Sequence, residues 1–418
     1  MSLLGLSLRN ILHKPLRTTL SLILFALGVG LIALLFLINS QLQEKFDKNL
    51  ASIDLVIGAK GSPLQLILNS MYHIDAPTGN IPIQEAQAFL RPGHPLIETA
   101  IPLSIGDSYR AHRIVGTQPE ILELYEARLA EGKMWESPME VVVGAAAAAN
   151  LDLKLGDTFN SSHGLIQDDD LIHSDAPLFK VTGILEPSGA VLDQLILTAT
   201  PSVWLVHDHE EADEDHDHAA ETDLAAMMQK PLHEFTDQSI TSILIRFKGR
   251  NFQALNMQRN INENTNLQAA TPAIEINRLY AMLGVGADAL RTLAMVIVLV
   301  SGLSIFISLY ASLKDRKYEL ALMRVMGASP AKIIALILTE GILMAVLGYL
   351  LGTGLSHLSM EVLGSRMKDA YQYSFTGFAW VQEEAWLLAG AIAIGFVAAI
   401  IPAIQAGKTD ISTTLSEG

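Results

Sequence analysis

Residues Lys314 to Gly352 read KDRKYELALMRVMGASPAKIIALILTEGILMAVLGYLLG, and the organisation of the chain follows from them. A short basic run, Lys314, Arg316 and Lys317, separates two long apolar segments, with no side-chain set suited to covalent chemistry between them. Tyr318 to Met326 has helix-forming composition, with Leu320, Met323, Val325 and Met326 offering an apolar face; Gly327 is placed to end that helix in the left-handed conformation. Ser329 and Pro330 fit the N-cap and first turn of the next helix. Segment 314–332 is therefore expected to hold a short amphipathic helix rigidly joined to two long ones, a shape suited to seating in a groove on another protein.

Half of the residues are hydrophobic and the mean hydropathy is +0.33, yet the formal charge is -16. The two facts agree once the charge is located. Ser40 to Ala287 carries 16 Lys plus Arg against 34 Asp plus Glu, a net of -18; the remainder has 12 against 10, a net of +2. An acidic middle is carried by apolar, slightly basic ends, a distribution that gives no footprint for nucleic acid. With no cysteine, disulfides, thiolate metal sites and thiol nucleophiles are excluded.

Working outward, residues 1–17 space leucines among Arg9, Asn10, His13 and Lys14 as a cytoplasmic interfacial helix would. Residues 18–39 form an uncharged run long enough to cross about 30 Å of hydrocarbon at about 1.5 Å per residue. Its length, and the lack of a small-residue cleavage site, favour a retained anchor over a secretory signal. Segments 288–313, 333–355 and 385–406 are three further spans, followed by a tail, 407–418. Lys and Arg cluster before the first span, between the second and third, and after the fourth, so those flanks and both termini are expected to be cytoplasmic. Segments 40–287 and 356–384 are then external. The fold class expected is a multi-span α-helical membrane protein with four transmembrane helices and a large external α+β domain between helices 1 and 2.

That domain is large enough for its own core, divided into two lobes. Glu140 to Gly144, Phe179 to Leu185, Gln194 to Thr198 and Ile240 to Phe247 read as strands from their β-branched content; Ala145 to Leu155 and Asn251 to Glu263 read as helices. Asn39 to Leu50 and Ile274 to Leu283 continue the first two spans outward as stalks.

Gly58 to Ser62 (GAKGS) lacks the spacing of a phosphate loop and reads as a turn into the apolar Leu64 to Leu68. His207 to His218, HDHEEADEDHDH, is the most unusual run, within an acidic stretch extending over 207–223. His207, His209, His216 and His218 amid carboxylates could hold a loosely bound Zn²⁺; a solvated acidic loop without metal is the competing reading. No nucleophile elbow, HExxH helix or Walker sequence appears, so the chain is expected to be non-catalytic and any energy source to sit on a partner. Glu340 is the one evident intramembrane acid, read as a packing or capping residue; a metal-importing pore would need more polar groups in the membrane.

The stretch YELALMRVMGASPAKIIALILTEGILMAVLGYLLG resembles the FtsX-like and MacB-like permeases of the mechanotransmitting (type VII) ABC transporters, related to the permeases of lipoprotein-releasing systems. It matches their pattern of an acidic residue, a small apolar block, Arg-x-x-Gly-Ala and a Glu in the third helix, at Glu319, Arg324, Gly327, Ala328 and Glu340. Ile401 to Gly407 with Thr409 to Leu415 is similar to the family's exit from helix four. Gly132, Glu140 to Gly144, Leu155 to Asp157 and Phe179 to Gly189 resemble its periplasmic core domain, and Asp54 to Pro82 a stretch carried by one subset. The resemblance implies a permease in the bacterial inner membrane, paired with a second copy or a paralogue and bound to separate ATPase subunits that hold the ATP. Residues Glu319, Leu320, Leu322, Met323, Arg324, Met326, Gly327 and Ala328 would meet the ATPase. Work on the envelope would be efflux or extraction of a lipoprotein or lipid-type substrate, with an adaptor or lipoprotein as further partner. The alternative is a non-transport regulator that activates an external hydrolase or signalling partner, with a possible link to zinc.

Overall fold

The computed structural model describes residues 3–13, 15–50, 52–163, 178–211, 227–228, 230–249, 252–371 and 375–408. It divides into two units, one of Met1–Gln43 with Met282–Gly418, the other of Glu44–Ala281.

The second unit is α+β. The strands are β1 (Leu55–Ala59), β2 (Ile81–Pro82), β3 (Ile97–Tyr109), β4 (His112–Thr117), β5 (Leu129–Gly132), β6 (Glu140–Val143), β7 (Thr158–Phe159), β8 (Ser162–His163), β9 (Phe179–Leu185), β10 (Ile196–Ala199), β11 (Ser239–Ile240), β12 (Ser242–Phe247) and β13 (Leu267–Ala270). A continuous sheet runs in the order β13-β1-β12-β3-β4-β10-β6-β9-β5, β7 pairing with β9 and β8 with β3, and β2 and β11 form a separate pair. The long strand β3 joins two lobes. Its first half pairs with β12 and its second half with β4 across a register shift between Ile105 and Ser108. On the first half, Ile57, Ile243, Ile245 and Ala269 bury against Ile83, Met257 and Ile261 of helices Ile83–Leu90 and Phe252–Asn264. Beyond β4, Val141, Val143, Val181 and Ile196 bury against Ala147 and Ala148 of helix Ala145–Leu151. Of Gly58 to Ser62, read from sequence as a turn, Gly58 and Ala59 end β1 and Lys60 to Ser62 make the turn; Ser62 caps helix Pro63–Tyr72 by accepting from the Gln65 amide.

The last turns of helix Pro15–Leu50 and the first turns of helix Pro272–Asp315 belong to this unit. Phe46 packs edge-on against Tyr72, ring centroids 4.8 Å apart, and against Tyr280 at 5.7 Å. Asn49 Oδ1 accepts from the Val191 amide at 2.7 Å, and Ile276 is fully buried.

The other unit is helical. An N-terminal helix, Leu3–His13, precedes a first long helix, Pro15–Leu50, which is unbroken over its 36 residues. The second long helix is Pro272–Asp315, the third Pro330–Tyr371 and the fourth Glu383–Gly407; a short helix, Lys317–Val325, lies between the second and third. All four long helices are long and apolar enough to cross a membrane. The third differs from the sequence reading, which ends it at Leu355 and makes 356–384 a loop. Leu358, Met360, Val362 and Leu363 keep helical spacing without a proline, and the helix runs on to Tyr371.

Small residues let these helices approach closely. A Cβ on Gly30 would fall 2.8 Å from the Gly352 carbonyl oxygen, and one on Gly395 would fall 2.7 Å from that of Gly341 and 2.6 Å from Ala345 Cβ. Phe25, Val29, Ile305, Met344, Tyr349 and Ala399 fill the space around these contacts.

Candidate coupling surface

The short helix is held by its two ends and one face. At its start, Arg316 donates from Nε to Glu319 Oε2 at 3.1 Å and from Nη1 to Glu340 Oε1 at 3.3 Å. Glu340 lies in the third long helix with its side chain 3 % exposed, and it also accepts from Asn10 Nδ2 of the N-terminal helix at 2.5 Å. Three separate segments thus converge on one carboxylate. At its other end, Arg324 Nη1 donates to the Gly407 carbonyl at the C-terminus of the fourth long helix, 3.2 Å away, where a cation meets the negative end of a helix.

Termination follows the expectation from sequence. The Gly327 amide donates to the Arg324 carbonyl and the Ala328 amide to the Met323 carbonyl, a Schellman closure that requires a left-handed residue. Gly327 takes it with φ +99°. Ser329 then precedes Pro330, the first residue of the third long helix.

The faces of this helix are not all as the spacing predicts. Leu320 and Ala321 are buried, Leu320 packing with Leu313, Ile333, Leu336, Ile337 and Ala406, with Met323 half-buried beside them. Leu320 is therefore structural, because the helix rotates to bring Arg316 and Arg324 onto their acceptors. The outward face is Tyr318, Leu322, Val325 and Met326, the last 74 % exposed. These positions are four, three and one residues apart and form one stripe. Glu319 lies exposed next to it, Gly327 is exposed and Ala328 half-buried. The Lys314, Lys317, Lys332 and Lys408 side chains are also exposed around this end of the unit. Chemically the arrangement is a rigid apolar knob with a cationic surround, suited to binding and not to bond-making.

Sequence reasoning missed the Arg316, Glu340 and Asn10 junction. Asn10 and Glu340 are 330 positions apart, and nothing local marks an asparagine in an amphipathic helix as a partner for a distant acid.

Of the histidine-rich run, His207 and His209 belong by their backbone to helix Thr200–Glu211, so its start is helical and not a loop; His216 and His218 lie outside the described residues. Among the described residues no group of three or more His, Cys, Asp or Glu converges.

Residues 18–271 match the family model described as MacB-like periplasmic core domain, and residues 291–411 the one described as FtsX-like permease C-terminal. Among solved structures, the extracellular domain of the noncanonic ABC-type transporter YknZ from Gram-positive bacteria is similar with a TM-score of 0.28 and 10 % identity, over 52 % of this chain and 99 % of that one. A domain described as a permease protein of Porphyromonas gingivalis is similar with a TM-score of 0.24 and 12 % identity, over 52 % and 86 %. Comparison with curated proteins finds no match.

Proposed function

Because the chain belongs to the FtsX-like permeases with a MacB-like periplasmic core domain, we propose that it is the membrane subunit of an ABC transporter and converts ATP hydrolysis on a partner into motion of its α+β unit. One observation carries the reading: a short helix locked to the helical unit by Leu320, Arg316 and Arg324 turns an apolar stripe, Tyr318, Leu322, Val325 and Met326, away from it. An isolated soluble helix buries such a stripe against its own protein; this one leaves it for a groove on an ATPase.

Motion of the short helix passes to the second and third long helices, which flank it without slack. The first and second long helices end inside the α+β unit, fixed there by Phe46, Asn49 and Ile276, so displacement reaches the sheet through covalent helix. The concentration of Lys and Arg beside the short helix supports placing that end, and both termini, in the cytoplasm of a bacterial inner membrane. Two permease copies on two ATPases, with efflux or extraction of a lipid-type substrate as the work done, complete the proposal.

The test is Leu322→Asp with Val325→Asp, both at exposed positions. The double variant should insert and fold as the parent does but fail to bind its ATPase and to stimulate ATP hydrolysis. Stimulation at the parental level would overturn the assigned surface.

A further inference from the structure

Between the third and fourth long helices, Phe375 to Gln382 (FTGFAWVQ) has no charged residue and is tied down around a turn at Gly377 and Phe378. Gln41 Nε2 of the first long helix donates to the Thr376 carbonyl at 2.8 Å, and the Thr376 amide donates to Gln41 Oε1 at 2.9 Å. The Gly377 amide donates to Glu361 Oε2 at 2.8 Å, and His357 Nδ1 donates to the Gly377 carbonyl. The approach is so close that a Cβ on Gly377 would fall 2.2 Å from the His357 carbonyl oxygen.

Along this segment, less exposed and more exposed residues alternate. Phe375, Ala379 and Val381 turn inward to Leu37 and Met360. Phe378 and Trp380 turn outward, 89 % and 72 % exposed, and Trp386 in the first turn of the fourth helix is 76 % exposed. Four hydrogen bonds to two helices pin the backbone of this segment, and the Phe378 amide also donates to Thr376 Oγ1 within it, so the rings are carried on a fixed main chain.

Two lengths place the segment. The apolar run Ala385 to Ile404 covers about 30 Å at 1.5 Å per residue, the thickness of a hydrocarbon core, so its start sits at one boundary and Phe375 to Gln382 just beyond it. On the third long helix, Ile334 lies against Gly407 at the opposite boundary, and His357, which holds Gly377, is about 35 Å further along. Both place the segment at headgroup depth, where indole rings with one polar edge are most stable.

Resting on the membrane reading above, we propose that Phe378, Trp380 and Trp386 dock into the lipid headgroup and acyl boundary of the outer leaflet, and that the paired Gln41–Thr376 hydrogen bonds make this anchor the fixed point about which the first long helix leaves the bilayer. The partner is a phospholipid surface. A fulcrum at this level lets a push on one side of the membrane appear as a swing on the other.

The natural absence of cysteine allows a clean test. Phe378→Cys and Trp380→Cys, each in the full chain and carrying a nitroxide, are reconstituted in phosphatidylethanolamine and phosphatidylglycerol vesicles. Relative collision with oxygen and with a water-soluble nickel chelate reports depth. Val397→Cys, at the middle of the fourth helix, and Lys154→Cys, in the α+β unit, are the lipid and water references. Both segment labels should fall between the references. Nickel access equal to that at position 154, with position 397 protected, places the segment in water and overturns the anchor alone. Protection from both reagents means a protein covers it and also overturns the proposal. Nickel access at position 397 sinks the membrane reading, and the anchor with it. Adding Gln41→Ala should increase label mobility at position 378; an unchanged line shape refutes the link to the first helix.

Discussion

Truncating Arg316 separates a structural ion pair from an incidental one. Its side chain is 13 % exposed and that of Glu340 3 % exposed, with 3.3 Å between Nη1 and Oε1. In Arg316→Ala the carboxylate keeps only Asn10 as donor, and an uncompensated buried charge of this kind costs about 3–5 kcal/mol. In Arg316→Met with Glu340→Leu both charges go, apolar volume replaces them, and the cost should fall below about 1 kcal/mol. Glu319→Ala is the control: Glu319 is 64 % exposed, and its arm of the same arginine is worth about 0–1 kcal/mol. The assay is reversible unfolding of the full chain in mixed micelles, read as the shift in midpoint for the three variants. The double variant should be more stable than the single one, which purely additive losses cannot produce. If Arg316→Ala costs no more than Glu319→Ala, or less than the double variant, Glu340 does not depend on Arg316 and the junction is not what fixes the short helix.

Gly327→Ala should destabilise the junction by about 1–2 kcal/mol, because φ +99° is strained for a side chain although open space surrounds the position; Gly327→Asn should cost less, and the same unfolding midpoints measure both. Gly395→Val should cost about 1–3 kcal/mol by forcing the third and fourth helices apart, seen as loss of thermal stability in detergent; parental stability would refute the close contact. His73, at the end of helix Pro63–Tyr72, has its pKa pushed down to about 3 from 6.5, first by burial and then by Arg113. The unfolded chain then binds the extra proton, so stability is complete above pH 6.5 and falls by up to about 1.4 kcal/mol per pH unit on acidification toward 3. His73→Asn, which tolerates the left-handed backbone there, should flatten that slope in unfolding followed by the buried Trp135 and Trp204.

What the sequence could show depended on whether the signal was local. Apolar run length marks four helices, and Gly327, Ser329 and Pro330 mark a helix end and the next beginning, because each acts through its own backbone. Strand β3 was not legible: Pro102, Ser104, Gly106 and Asp107 interrupt its apolar pattern, and it is strand only because β12 and β4 pair with it over its two halves. On the short helix the failure is more informative. Residues 320, 321, 322, 323, 325 and 326 are all apolar, so apolarity cannot choose an inward face. The choice is made by Arg316, Leu320 and Arg324, four residues apart on one side: the two guanidinium groups reach Glu340 and the Gly407 carbonyl, and Leu320 is buried between them in sequence. The inward face therefore combines two arginines with the buried Leu320 and Ala321, and Leu322, Val325 and Met326 are left outward. The two arginine contacts and the burial of Leu320 hold that orientation against the hydrophobic gain of rolling Leu322 and Met326 inward. An arrangement with that cost is stable in a working assembly once a partner covers the outward stripe.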